Sequence, residues 1–362
     1  MLLLTIFLTG LTLPGVSYQG DRIFYTDARS MSLGGVSLVL ESTDNPASIT
    51  LFTERAIRIS GLISVQNEDR GLRVYDSFGN NIGIATVASN TGTYLNPGNC
   101  FVVFPFRMLR LGLEYAPAWD YNYTYYEEHR DDFYQIVRID ELTHRGYAHA
   151  ITPVIALNYR SISIGASNSF MLGSRVMERT VIIPQLSDTV SSDETNFNGN
   201  SIKLGASFIP AINFRMSYSY QHKYQLTDDG HEYPAVHSFG LMYQPPGRIP
   251  TRFLAQVEAE MWDGIFSEDI FIYKIGIEHM ILQKYNLRYG FCVFPDYQQD
   301  VIWTTNLTLG FGFQTGLYAF DIGYCYGKRD YLASDYAHLE LSENYKLDET
   351  AHHFMISIGM QF

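Results

Sequence analysis

The chemically capable residues of this chain are charged side chains set into apolar alternation. Arg58, Arg110, Glu114, Arg215, Arg252, Glu258, Glu260, Lys274, Glu278, Arg288 and Asp321 each fall on the polar phase of a segment whose other phase is apolar. Charges gathered on a common interior either steer a ligand or pair with one another. A selective conduit tends toward one sign, and these signs are mixed. The set therefore reads as lumen-lining, with bracing of the interior favoured over steering. Catalytic patterns are absent: there is no Gly-x-Ser-x-Gly elbow, no His-x-x-x-His and no Cys-x-x-Cys. No enzyme activity, metal or cofactor is expected. Cys100, Cys292 and Cys325 are too few for a disulfide framework and read as free thiols. A net charge of -13 without a basic stripe excludes a nucleic-acid partner.

The elements that must position these side chains are strands of period two. Trp303, Thr305, Leu307, Leu309, Phe311 and Phe313 alternate with Thr304, Asn306, Thr308, Gly310 and Gly312. The same pattern recurs through Phe271–Ile277, Tyr285–Val293 and Phe320–Tyr326, and ends the chain at Phe354, Ile356, Ile358, Met360 and Phe362. Most of these runs exceed the five or so residues usual in a soluble sheet and suit a tilted membrane span. Aromatics at 15%, mostly Tyr and Phe, supply strand formers and interfacial anchors. Mean hydropathy near zero excludes a bundle of membrane helices but not a barrel, which shows lipid every second residue. A soluble sandwich would spread charge over its wet face, whereas the polar phase here is small and mixed.

Short connections alternate with long ones, the long ones lying near 118–146, 173–199, 225–233, 263–268, 295–300 and 328–350. That is the pattern of periplasmic turns and external loops. The expectation is an all-β transmembrane antiparallel barrel of about 14 strands. A further hairpin within 67–98, through Leu72–Tyr75 and Ile82–Val87, would make it 16. The first long connection carries Tyr121, Tyr123, Tyr125, Tyr126 and Tyr134, which suit either a recognition surface or strands rising above the membrane.

Leu2–Leu13 is apolar and is broken by Pro14-Gly15 ahead of small residues, so 1–17 reads as an export signal. Residues 55–362 form the expected barrel, and 18–54 precede its first strand. Gly34 and Gly35 permit positive φ. Asn45, Pro46 and Ala47 suit a helix cap with Pro at the first helical position. Val36, Leu38 and Leu40 need burial, so 18–54 is expected to fold into the lumen as a plug.

The terminal strand resembles the closing strand of bacterial outer-membrane barrels, whose last Phe belongs to the signal read by the barrel-insertion machinery. That resemblance assigns Phe354, Ile356, Ile358, Met360 and Phe362 to assembly. The stretch from Ala28-Arg29 through Gly34-Gly35 to Asn45-Pro46-Ala47 resembles the opening of the fatty-acid-transporter-like outer-membrane family. That family includes the FadL transporters and the PorV and PorQ proteins of a secretion system. It implies an outer-membrane protein in contact with lipid, passing small hydrophobic molecules. The alternative it implies is an interaction protein that tethers or receives secreted proteins, toward which the short Val36–Asp44 spacer leans. The two divide on whether an apolar pocket crosses the barrel wall or external loops carry the binding surface.

Overall fold

Long alternating segments leave every backbone N–H and C=O to be paired between strands, and in this chain the ladder closes on itself. The computed structural model describes residues 20–23, 25–96, 98–131, 133–227, 232–262, 268–296, 302–334 and 344–362. The expected export signal lies outside them. The wall consists of β1 (Ala56–Tyr75), β2 (Asn81–Asn96, resuming as Cys100–Phe106), β3 (Leu109–Asp120, resuming as Tyr123–Arg130), β4 (Ile136–Tyr159) and β5 (Ile162–Ile182). It continues through β6 (Thr189–Ala211), β7 (Phe214–Gln221), β8 (Ala235–Tyr243), β9 (Thr251–Met261) and β10 (Ile270–Ile281). It ends with β11 (Tyr285–Pro295), β12 (Trp303–Thr315), β13 (Tyr318–Ser334) and β14 (Asn344–Gln361). Each strand pairs antiparallel with the next, and β14 returns to β1 with Ser357 opposite Ser60 and Ile358 opposite Ile59.

The barrel thus has 14 strands, with β2 and β3 each broken once. The alternative of 16 is overturned. Leu72–Tyr75 ends β1 and Ile82–Val87 belongs to β2, so the extra hairpin considered above is the outer extension of these two strands. The regions 118–146 and 173–199 are likewise mostly strand rather than loop. β4 and β5 pair from Ile139 opposite Ile182 down to Tyr159 opposite Ile162. They run for 24 and 21 residues, roughly twice the span a bilayer needs, and so project beyond it. In the region 328–350, β13 and β14 extend the same way, and 335–343 lie outside the described residues.

The outward phase is a continuous apolar belt. Ile59, Leu111, Ile155, Ile164, Leu204, Phe253, Ile275, Leu309, Ile322 and Ile356 all point away from the lumen and are exposed. A soluble protein would not leave such a band in water; a bilayer accepts it. Tyr–His pairs edge the belt: the Tyr218 hydroxyl lies 2.8 Å from His237 Nδ1, and that of Tyr324 2.9 Å from His352 Nδ1. Of the terminal-strand residues, Phe354, Ile356, Ile358 and Phe362 are exposed on the belt, while Met360 is half-buried. The inward phase is buried and polar, including Ser60, Ser357, Glu278 and Arg288.

The belt makes a depth-dependent prediction. Leu309→Arg at mid-strand should destabilise the barrel by about 2–4 kcal/mol, whereas Leu282→Arg in a turn should cost about 0–1 kcal/mol. Equilibrium unfolding in lipid would measure both, and equal costs would place Leu309 outside the hydrocarbon.

Candidate functional site: a seated N-terminal segment beneath an external cavity

Residues 25–52 pack against the inner wall and are almost wholly buried. A short helix, α1 (Ala28–Ser32), is capped by Asp27, whose carboxylate accepts from Ser30 N at 2.8 Å. Gly34 and Gly35 then turn the chain at φ values of 69° and 82°, a region closed to most side chains. Asn45 caps a 3-10 helix, Pro46–Leu51, accepting from Ala47 N at 3.0 Å. Val36, Leu38, Val39 and Leu40 are buried between these two turns.

The wall is shaped for this segment by missing side chains. Gly276, Gly290, Gly310 and Gly323 lie on neighbouring strands β10 to β13, with Gly276 opposite Gly290 and Gly310 opposite Gly323. A Cβ on Gly276 would sit 2.7 Å from Leu33 O, and one on Gly323 would sit 2.7 Å from Ala28 O. On the far wall Gly165 faces Gly205, and a Cβ on Gly165 would lie 2.5 Å from the Pro46 carbonyl carbon. Backbone groups of the segment also bond to the wall. Ala28 N donates to Ser357 Oγ at 2.8 Å and Gly34 N to Thr308 Oγ1 at 2.9 Å. Ser37 N and Leu38 N both donate to Gln256 Oε1, at 3.0 and 3.1 Å.

The charged residues of the polar phase meet here. Glu278 receives Arg29 at 3.1 Å, Arg252 at 2.9 Å and Arg288 at 2.8 Å, and Arg288 also reaches Asp321 at 2.5 Å. Arg29 continues to Glu41 at 2.6 Å, and Arg58 pairs with Asp27 at 2.8 Å. Lys274 meets Glu258 at 2.7 Å, and Arg22 pairs with Glu260. Arg110 Nε donates to Phe52 O at 2.9 Å, and the Arg215 guanidinium donates to Val39 O. Glu114 accepts from Thr43 Oγ1 at 2.5 Å and from Asn99. Most of these groups therefore touch the N-terminal segment directly. Burial would raise the Glu41 carboxyl, but the guanidiniums of Arg29, Arg215 and Arg252 hold it down at about 2. Asp27 is lowered too, burial being outweighed by Arg58, the Ser30 N–H and Arg29.

Above the segment, on the side of the long hairpins, lies a cavity of about 190 Å³. Ile23, Tyr25, Leu62, Tyr94, Trp119, Ile270 and Phe294 contribute its apolar lining, among polar residues of β1, β12 and β14. Tyr25 belongs to the N-terminal segment, and its hydroxyl accepts from Asn306 Nδ2 at 2.7 Å. The cavity also reaches Asn90, Gly92, Asn96, Asp120 and Thr124, where the wall changes character. There Asn81–Asn96 of β2 pairs with β1, and Tyr123–Arg130 of β3 pairs with β4. Among the described residues no backbone ladder joins these two stretches. Side chains bridge them instead: Thr124 N donates to Tyr94 OH at 3.2 Å and Tyr126 N to Asn90 Oδ1 at 2.8 Å, while Tyr147 OH reaches across from β4 to Leu95 O at 3.2 Å. The start of the N-terminal segment takes the adjoining edge of β3, with Asp21 and Arg22 opposite Asp120 and Trp119.

Every lumen candidate read from the sequence is buried or half-buried on the inner wall; Gly34, Asn45, Pro46 and Ala47 sit on its glycines, and Gly35 lies against Tyr25 and Lys274. Sequence reasoning missed those wall glycines and the interruption of β2. A polar phase unusually rich in Gly on β10 to β13, and Asn-x-Gly-Asn at 96–99, were the available signals. The tyrosines of 118–146 divide: Tyr121, Tyr123 and Tyr125 are buried, whereas Tyr126 and Tyr134 are exposed.

No family profile matches the sequence, and no curated protein matches it. Solved structures do. A Pseudomonas aeruginosa FadL homologue aligns over 95% of this chain and 100% of its own at a TM-score of 0.67 and 13% identity. The P. putida toluene transporter TodX aligns over 96% and 99%, with a TM-score of 0.68 and 13% identity. The Ralstonia pickettii toluene transporter TbuX aligns over 95% and 99%, with a TM-score of 0.63 and 15% identity. At such identities the likeness is one of fold, and it extends over the full described barrel.

Three tests bear on the seat. Gly290→Val should expel residues near Gly34, making 25–52 protease-sensitive and raising ion conductance while the barrel still assembles; an intact, resistant segment would refute the contact. Glu278→Ala strips three guanidiniums of a shared buried carboxylate and should cost about 3–5 kcal/mol in unfolding experiments. The acid limit follows from Glu41. Its value falls from the ordinary 4.5 to about 2, so its contribution is complete above 4.5 and is lost as pH drops toward 2. The segment should resist pepsin at pH 4 and yield near pH 2.

Proposed function

We propose that this protein is an outer-membrane channel for small apolar molecules, with residues 18–54 acting as a plug. The observation that carries the reading is the coincidence of the external cavity with the missing ladder between β2 and β3. A molecule that enters from outside meets the N-terminal segment below it and, to one side, a wall held only by side chains. Moving sideways there breaks no backbone ladder. Moving downward would have to dismantle the ion pairs of Arg29 and the contacts on the wall glycines. The inward charges accordingly serve to hold the plug rather than to line a wet pore.

The fold is shared with proteins named as toluene transporters and as a monoaromatic hydrocarbon channel, which supports a hydrophobic small-molecule substrate. The arrangement needs no reaction at the site, in keeping with a transport role rather than an enzymatic one. The tethering alternative gains little from the tyrosine-rich hairpin, because Tyr121, Tyr123 and Tyr125 turn inward. Insertion would draw on the outward terminal-strand residues from Phe354 to Phe362.

Gly92 offers a direct test. A Cβ there would lie 2.2 Å from the Tyr94 hydroxyl, so a larger side chain must displace that ring and take its place beside the gap. Gly92→Leu should lower toluene uptake by cells carrying the protein in a lipopolysaccharide outer membrane. The expected fall is roughly tenfold, the effect of about 1.4 kcal/mol on a barrier. Unchanged uptake with normal barrel assembly would remove the wall route.

A further inference from the structure

The cavity holds more polar equipment than a hydrocarbon can use. Ser64 Oγ, Asn90 Nδ2, Asn96 Nδ2, Thr304 Oγ1 and His353 Nδ1 are buried atoms with no hydrogen-bond partner among the described residues. All five residues line this one cavity. Ser64 and Asn96 are only 5% and 3% exposed. Native interiors leave few such groups, because burying a donor or acceptor without a partner is unfavourable. Their concentration along one cavity therefore points to a ligand.

Three of them share a patch. Ser64 lies opposite His353 across the β1–β14 seam, and opposite Tyr94 across β1–β2, one inward position from Asn96. The Asn96 amide is oriented by Gly98 N, which donates to its Oδ1 at 2.9 Å and leaves Nδ2 as the unused donor. An amide nitrogen only donates, while the hydroxyl of Ser64 and a neutral imidazole can give or take a proton. The matching ligand group is an oxygen that accepts from Asn96 and exchanges a second bond with Ser64 or His353. Carboxylates fit less well: Arg22 and Arg329 are already engaged by Glu260 and Glu349, and Glu68, Asp120 and Asp296 outnumber the remaining lining cation, Lys328. The rest of the partner is set by volume. A cavity on the order of 150 Å³ holds a benzene ring, and this one measures about 190 Å³.

We infer that the cavity selects a neutral, ring-sized molecule bearing a single hydroxyl, of the class of simple phenols, in preference to the plain hydrocarbon. The inference rests on the channel reading above and names its substrate class. Tyr25 and Leu62 contact the ring, and a rotation about one side-chain torsion turns Ser64 Oγ toward the hydroxyl.

The test is calorimetric or ligand-observed NMR binding to the full-length protein in detergent, comparing 4-methylphenol with toluene. These differ by one hydroxyl, and an apolar cavity would prefer toluene because the hydroxyl must leave water. The expected result is at least a tenfold preference for 4-methylphenol. Ser64→Ala and Asn96→Ala should each cut that preference at least threefold, by weakening 4-methylphenol more than toluene. Because Asn96 also steadies Gly98, Ser64→Ala is the cleaner of the two. Toluene bound as tightly as 4-methylphenol, or a preference untouched in both variants, overturns the inference while leaving the channel reading standing. Binding of neither molecule overturns both.

Discussion

The structure depends on the requirement that backbone groups facing hydrocarbon be paired within the protein. From that requirement follow strands long enough to cross the bilayer, a ladder in which β14 returns to β1, and side chains sorted by period two. The interruption between β2 and β3 is the informative exception. At that point the amides of Thr124 and Tyr126 find Tyr94 OH and Asn90 Oδ1 instead of a neighbouring strand. Satisfaction by side chains is local and separable, whereas a ladder opens only cooperatively. Among the described residues, the wall thus lacks a backbone ladder where the cavity meets it.

Two kinds of complementarity hold the N-terminal segment. The wall glycines remove volume so that backbone meets backbone, and Gly276 and Gly290 place the closest approach at Leu33 and Gly34. The charges supply the second. Arg29, Arg252 and Arg288 meet Glu41, Glu278 and Asp321 in a cluster of equal and opposite charge. Buried ion pairs are weak sources of net stability, yet breaking one side of such a cluster is costly. This combination specifies one seat for the segment more than it tightens the barrel.

The cavity combines features that a simple greasy pocket lacks. Trp119, Leu62 and Phe294 give it apolar surface, and the segment beneath contributes Tyr25. Around that surface lie amide nitrogens and hydroxyls which, among the described residues, neither wall nor segment engages. An apolar body is held by area, while a single oxygen is recognised by position, and the inner phase of β1 and β2 supplies both.

The chain alone determined the barrel, because period-two alternation and the alternation of short with long connections are local properties that survive without knowledge of the partner strand. It also determined the inward phase, so that Arg58, Glu278 and Arg288 could be placed on the lumen side one residue at a time. The caps at Asn45-Pro46 and the turn at Gly34-Gly35 were legible for the same reason. Long external hairpins were not: above the bilayer the outer face meets water instead of lipid, so Tyr125 turned inward and Tyr126 turned outward look alike in sequence, and 118–146 reads as loop. Only the tertiary structure decided which base meets which acid, which glycines lie beneath Leu33 and Pro46, and where the ladder stops. Those are facts about strands adjacent in space, and Ser64, Asn96 and His353 become neighbours only when the barrel closes.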